Sequence, residues 1–225
     1  LVVSAGGPMV SQLNDMGAKH ITLPVHSKNP FVIWKNAQKL KQLIQEESID
    51  IVHARSRAPA WSCYWAAKAT KTAYVTTFHG TYGHQGKLKR WYNSIMLRSD
   101  ITIAVSNFIA EHIRAVYSDQ LKNRKHEDNI HVIHRGIDID KYNPENVSSE
   151  RILSLRKRWN IPADNLVIML PGRITRWKGQ AVLIAALAKI KQDNITCLLV
   201  GDNKGKDHFV TELESLIHTH KLQNT

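Results

Sequence analysis

The chain has 225 residues, 43% apolar and 22% charged, with 11 Gly and 7 Pro, which excludes a disordered chain and collagen-like or low-complexity classes. Lys and Arg number 31 against 19 Asp and Glu, a net charge of +12 that points to nucleic acid, phosphate-bearing substrates or an acidic membrane surface. At roughly 150 residues per domain, the length corresponds to about one and a half domains.

The chain opens at Leu1-Val2-Val3, an apolar run that reads as a strand with no initiator Met before it. It closes at Thr225 just after a helix-like stretch. The expectation is an internal piece of a longer protein. Short β-branched runs predict strands at 21–25, 49–54, 73–78, 101–105, 130–133, 166–170 and 196–200. Between them lie helical patterns. Residues 31–47 place Ile33, Ala37, Leu40 and Ile44 on one stripe. Ser106 is a good N-cap for a helix carrying Phe108, Ile109, Ile113 and Val116 inward. A third helix is expected over 179–191, with Val182, Leu183, Ala186 and Ile190 apolar.

Strands separated by helices imply βαβ units and parallel sheets, and near-continuously apolar strands imply helices on both sheet faces. The fold class is α/β. The polar stretch 138–149 interrupts the alternation, and a new helix follows over 150–159. Domains are therefore expected at 1–140 and 150–225, the second incomplete, with a linker at 141–149. No apolar run is long enough to span a membrane. Cys63 and Cys197, each inside an apolar segment, exclude a disulfide framework or Cys-rich zinc site and favour a reducing compartment.

The most informative segment is Pro171-Gly172-Arg173-Ile174-Thr175-Arg176-Trp177-Lys178-Gly179-Gln180, between a strand and a helix. Ligands bind at the carboxyl ends of parallel strands, and a helix N-terminus there attracts phosphate. Gly172 permits a close turn, and Arg173 and Lys178 could neutralise a diphosphate. The segment is neither a Walker A loop nor G-x-G-x-x-G. Its alternative reading is a basic loop solvating a sheet edge.

HVIHRGIDIDKYNP (131–144), PGRITRWKGQAVLIAAL (171–187) and CLLVGD (197–202), preceded by IDIVHARSRAPAW (49–61), YVTTFHGTYG (74–83) and DITIAVSNFIAEHI (100–113), resemble the family-4 retaining glycosyltransferases across essentially the whole chain. That resemblance implies the GT-B architecture, two Rossmann-like domains, acceptor-side first and nucleotide-sugar-binding second. It implies that Arg173 and Lys178 bind the donor diphosphate and that His79, in Thr77-Phe78-His79, lies near sugar and acceptor. These three are the expected catalytic residues. Gly172, Gly201 and Asp202 would join Arg173 and Lys178 in donor binding. The family's first strand and glycine-rich loop would precede Leu1. Its acidic pair, separated by seven residues, would follow Thr225. The chain by itself is then expected to be inactive.

Asp138-Ile139-Asp140 is a D-x-D triplet, but it falls in the expected interdomain connection. His131 and His134, three apart on a strand, point to opposite faces. No metal or cofactor is expected. Lys87, Lys89, Arg90 and Arg98 alternate with Trp91, Tyr92, Ile95, Met96 and Leu97 over 87–98. Such a helix suits an anionic membrane interface or a phosphorylated lipid-linked acceptor, or else solvates its basic face over a core stripe. His53, Arg55 and Arg57 are further acceptor-side candidates.

The resulting expectation is metal-free transfer of a sugar, with retention, from a nucleotide-sugar to an envelope glycolipid or polysaccharide hydroxyl. The enzyme would be bacterial and cytoplasmic, peripheral on the inner membrane face. The alternatives are a GT-B-type nucleotide-sugar epimerase and a basic nucleic-acid-binding protein. The latter lacks a recognised module, so nucleic acid is not an expected partner.

Overall fold

A computed structural model describes residues 1–83, 85–122, 129–190, 193–203, 205, 207–223 and 225. The chain forms two units, Leu1–Gly136 and Ile137–Thr225. In the first, β1 (Val2–Ser4), α1 (Val10–Asp15) and β2 (His20–Thr22) precede α2 (Pro30–Glu46), β3 (Ile51–Ala54), α3 (Arg57–Thr70) and β4 (Ala73–Phe78). Next come α4 (Lys87–Asn93), β5 (Ile101–Ala104), α5 (Asn107–Val116), α6 (Ser118–Lys122) and β6 (Ile130–Val132). β1 pairs with β2, and β3-β4-β5-β6 form a second sheet; every pairing is parallel. A groove of about 440 Å³ is lined by both β1 and β3.

Local chemistry explains the element starts. Asn29 Oδ1 accepts from the Phe31 amide at 2.9 Å, and Pro30 supplies a preset φ at the first helical position of α2. Ala37, Leu40 and Ile44 of the expected stripe are buried. Ser106 Oγ accepts from the Ile109 amide at 3.3 Å and caps α5. That helix buries Ile109, Ala110 and Ile113, but Phe108 is 67% exposed, contrary to expectation. At about 100° per residue, Phe108 lies about a third of a turn off the 109–113 line.

α3 was not expected. Its apolar positions mix Ala60, Trp61, Cys63, Ala66 and Ala67, all buried, with a half-exposed Trp65, so no clean stripe announces it. The basic segment 87–98 is not one helix. α4 stops at Asn93, and Ser94–Leu97 form a tighter 3-10 turn with Ile95 and Met96 fully buried. Thr76 Oγ1 donates to the Met96 carbonyl and lies 2.8 Å from Ser99 Oγ, which in turn is 3.0 Å from Thr102 Oγ1. This buried hydroxyl chain ties the turn to β4 and β5.

The second unit comprises α7 (Ser149–Arg158), β7 (Leu166–Pro171), α8 (Gln180–Leu187), β8 (Ile195–Val200) and α9 (Asp207–Thr219). β7 and β8 pair in parallel, and Ile174, Ile184, Phe209 and Leu213 form the core. Two expectations are corrected here. Strand β7 is not covered on both faces, since Leu166 and Met169 are 56% and 53% exposed. The third helix ends at Leu187, leaving Val182 and Ile190 exposed, and residue 191 of the expected range lies outside the described residues.

These burials separate two apolar residues of one helix. Ile113→Ala is expected to cost about 2–5 kcal/mol in denaturant unfolding of the first unit, and Phe108→Ala less than about 0.5 kcal/mol.

Candidate functional site

The parallel register of the first unit brings strand ends to a common edge. Ala54 pairs with Thr76, Phe78 with Ala104, and Ala104 with Val132. Residues just past those ends converge. Arg55 Nε lies 3.2 Å from His79 Nε2, and an Arg135 terminal nitrogen lies 2.9 Å from His79 Nδ1 and 3.4 Å from its carbonyl oxygen. A guanidinium has donors only, and a neutral imidazole has one acceptor nitrogen. Only one arginine can therefore be accepted by the ring; the other faces an N–H.

Protonating His79 would add a third cation. Its pKa is pushed below the usual histidine range, first by burial and then by Arg55, Arg135 and His53. His53 Nε2 is 2.7 Å from Thr77 Oγ1, and its pKa is likewise lowered by burial and by Arg55. Among the described residues, no ion pair neutralises Arg55 or Arg135. The cluster is a neutral imidazole between two uncompensated guanidiniums, an arrangement that attracts an anion.

Sequence reasoning named His79, Arg55 and His53 here but missed Arg135, although Arg135 stands in the 131–144 stretch. Its partner is 56 residues away, a separation no local pattern reveals. Arg57 donates to Asn93 Oδ1 at 2.9 Å and stacks on Tyr82 at 4.3 Å, while Asn93 donates to the Gly83 carbonyl at 3.0 Å. Those contacts hold the loop that follows His79. Lys87, Lys89 and Trp91 line a cavity of about 730 Å³ together with Arg57; Arg90 is not part of its lining.

In the second unit, Pro171 pairs with Val200, so the loops carrying Gly172-Arg173 and Gly201-Asp202 leave the sheet side by side. The Gly172 amide donates to the Val200 carbonyl at 2.8 Å and the Ile174 amide to the Asp202 carbonyl at 3.0 Å. The approach is so close that a Cβ on Gly201 would sit 1.9 Å from the Gly172 carbonyl oxygen. Gly179 adopts φ +83°, a left-handed conformation that suits glycine, at the start of α8. Gln180, fully buried, donates to the Arg173 carbonyl at 3.0 Å. The loop backbone is thereby fixed.

Three cations in that loop have different fates. Arg176 forms a two-pronged pair with Glu212 of α9, one contact at 2.8 Å, and so serves the fold. Lys178 Nζ lies 4.2 Å and the Arg173 guanidinium 5.8 Å from the ring of Trp177. Neither has a carboxylate partner among the described residues. The structure thus gathers Gly172, Arg173, Lys178, Gly201 and Asp202 at one sheet edge. Asp138 belongs to a local turn, its Oδ1 accepting from the Lys141 amide at 2.9 Å.

Two parallel α/β units, each with its charged loops at strand carboxyl ends, define a GT-B-type architecture. Residues 1–141 match the profile "Glycosyltransferase Family 4" and residues 152–225 the profile "Glycosyl transferases group 1". The chain belongs to glycosyltransferase family 4. It is similar to a glycosyltransferase structure from Rickettsia africae ESF-5, at 41% identity and TM-score 0.84, covering 99% of this chain and 57% of that one. Anabaena HepE in complex with UDP and glucose shares the fold at 22% identity and TM-score 0.75, over 98% of this chain and 58% of that one. A D-inositol 3-phosphate glycosyltransferase of Xylanimonas cellulosilytica is 30% identical over 125 residues, 55% of this chain and 28% of that protein. The chain therefore spans just over half the length of these solved structures and about a quarter of the Xylanimonas protein.

Two outcomes test the geometry. In an NMR titration His79 is expected to ionise below the ordinary value of about 6.5, and Arg135→Ala to move it upward. Because the folded pKa is lowered, the folded chain binds fewer protons than the unfolded one. Stability is full above about pH 6.5 and falls as pH drops below it towards the folded pKa. Gly201→Ala is expected to destabilise the second unit by more than about 2 kcal/mol in thermal unfolding, since the atoms its Cβ would meet, in Gly172 and Arg173, are all backbone.

Proposed function

We propose that this chain supplies the acceptor-side unit and the diphosphate-binding part of the donor unit of an enzyme that transfers a sugar from a nucleotide-sugar to a hydroxyl group. The observation that carries this reading is the pair Arg173 and Lys178, set beside the Trp177 ring past the carboxyl end of β7 and lacking carboxylate partners among the described residues. Family membership supports it, as does the UDP named in the HepE structure.

The chemistry follows from the charges. In the transfer, the bond between the anomeric carbon and the β-phosphate oxygen breaks, leaving its electron pair on the phosphate. A new bond forms to the acceptor oxygen, whose proton passes to the departing phosphate oxygen. Two fixed cations at the diphosphate stabilise the charge as it develops, more in the transition state than in the ground state. They perform the neutralisation that a divalent metal performs elsewhere, so the proposed reaction is metal-independent; that it proceeds with retention is proposed from family membership. His79 is proposed to act at the sugar and acceptor as a neutral hydrogen-bonding group, the form its lowered pKa favours. The acceptor is proposed to be an envelope glycolipid or polysaccharide hydroxyl reached at the cytoplasmic face of a membrane. No helix among the described residues is long and apolar enough to cross a bilayer.

Calorimetric titration of the chain with UDP, GDP and ADP, in chelator, tests the donor site. Binding of at least one diphosphate is expected, weakened about 10–100-fold by Arg173→Ala or Lys178→Ala, the equivalent of about 1.4–2.7 kcal/mol. Arg176→Ala is expected to lower stability instead. Binding abolished by chelator, or indifferent to both substitutions, would overturn the reading.

A further inference from the structure

The first unit carries a second feature besides the strand-end cluster. Helices α2, α3 and α4 enclose a groove of about 640 Å³ walled by Trp34, Trp61, Trp65, Trp91 and Tyr92. Trp34, Trp65 and Trp91 are 56%, 48% and 51% exposed. Trp61 holds the wall together, its ring 5.0 Å from that of Trp91 and 5.9 Å from that of Tyr92. Half-exposed tryptophans gathered in one concave surface mark a binding site rather than a solvated face.

The basic cavity of about 730 Å³ adjoins this groove and shares Lys28, Trp91 and Tyr92 with it. Its other cations are Arg57, Lys87 and Lys89, and no acidic residue lines either cavity among the described residues. The surrounding sequence agrees: residues 51–99 contain eight Lys and Arg and no Asp or Glu. None of the four cavity cations has an ion-pair partner among the described residues. The Trp61 indole N–H and Tyr92 hydroxyl also lack a hydrogen-bond partner there, which an optimised sealed core would provide.

We propose that the two cavities form one site for an anionic lipid, its hydrocarbon lying in the tryptophan groove and its phosphate held among Lys28, Arg57, Lys87 and Lys89. The segregation of the two chemistries favours this occupant. A single nucleic-acid strand wants cations tracking along its stacking platform, whereas here Trp34, Trp61 and Trp65 line one cavity and Arg57, Lys87 and Lys89 the other. The sharing of Trp91 and Tyr92 sets the boundary where a tail meets a head group, the position such amphipathic rings favour in lipid interfaces. As the anchor of a lipid-linked acceptor the site rests on the transferase reading above; as a lipid site it stands on these residues alone.

Tryptophan fluorescence of the full chain, titrated with monomeric dihexanoyl phosphatidic acid, tests it. Saturable binding is expected, at least tenfold tighter than to dihexanoyl phosphatidylcholine. Inorganic phosphate alone should leave the emission unchanged. Trp65→Ala should weaken both lipids about tenfold, while the surface change Lys89→Glu should remove the preference for the acid without altering the far-ultraviolet dichroism. Equal affinity for the two lipids, no saturable binding, binding to phosphatidylglycerol vesicles but not to monomeric lipid, or displacement of the lipid by a decathymidylate would each overturn the proposal. A parallel UDP titration separates the two readings: lipid binding without diphosphate binding contradicts the donor site and leaves this one intact.

Discussion

Parallel strand pairing is the constraint on which the rest of this structure depends. Every pairing in both units runs in one direction, so each crossover returns the chain to the same starting edge and each carboxyl end emerges opposite it. Residues far apart in sequence, such as Arg55, His79 and Arg135, meet because they follow strands in register. The same holds for Gly172-Arg173 and Gly201-Asp202 after β7 and β8. Buried groups then fix the geometry: the Thr76, Ser99 and Thr102 hydroxyl chain secures β4 against β5, and Gln180 secures the Arg173 carbonyl.

A second theme is charge left without a counter-charge. The net +12 is unevenly distributed. Arg176 is neutralised by Glu212 and belongs to the packing of α9, whereas Arg173, Lys178, Arg55 and Arg135 lack carboxylate partners among the described residues. A protein that only needed solubility would intersperse its charges. Clustering them at strand ends costs self-repulsion, which adds to burial in lowering the pKa of His79, and an arriving anion relieves it. Burial has the opposite effect on Cys63, pushing its thiol up to about 12 and making it inert as a nucleophile.

Much of this was legible in the chain itself, for identifiable reasons. α5 carried a cap, α2 and α5 both carried periodic apolar residues, and the strands were compact β-branched runs. The loop 171–180 stood out because two cations and two glycines bracket a strand-to-helix junction. α3 was missed because small alanines, which let it pack closely, dilute the apolar stripe. The division of 87–98 into α4 and a buried turn was missed because local composition does not reveal that the Thr76 hydroxyl reaches Met96. Arg135 depends on a contact across 56 residues and the tryptophan groove on ring contacts between Trp61 and the Trp91–Tyr92 pair, which a single sequence does not display. The exposed face of β7 was misread because apolar content alone does not state what covers it.

The proposed role of the Arg173–Lys178 loop is to receive a nucleoside diphosphate without a metal. Chemical-shift mapping of backbone amides during titration with UDP in EDTA puts that role to the test. Saturable shifts concentrated at Gly172 to Gly179 and at Gly201 and Asp202 are expected. Shifts confined to the first unit, or the disappearance of all shifts when EDTA is present, would contradict it.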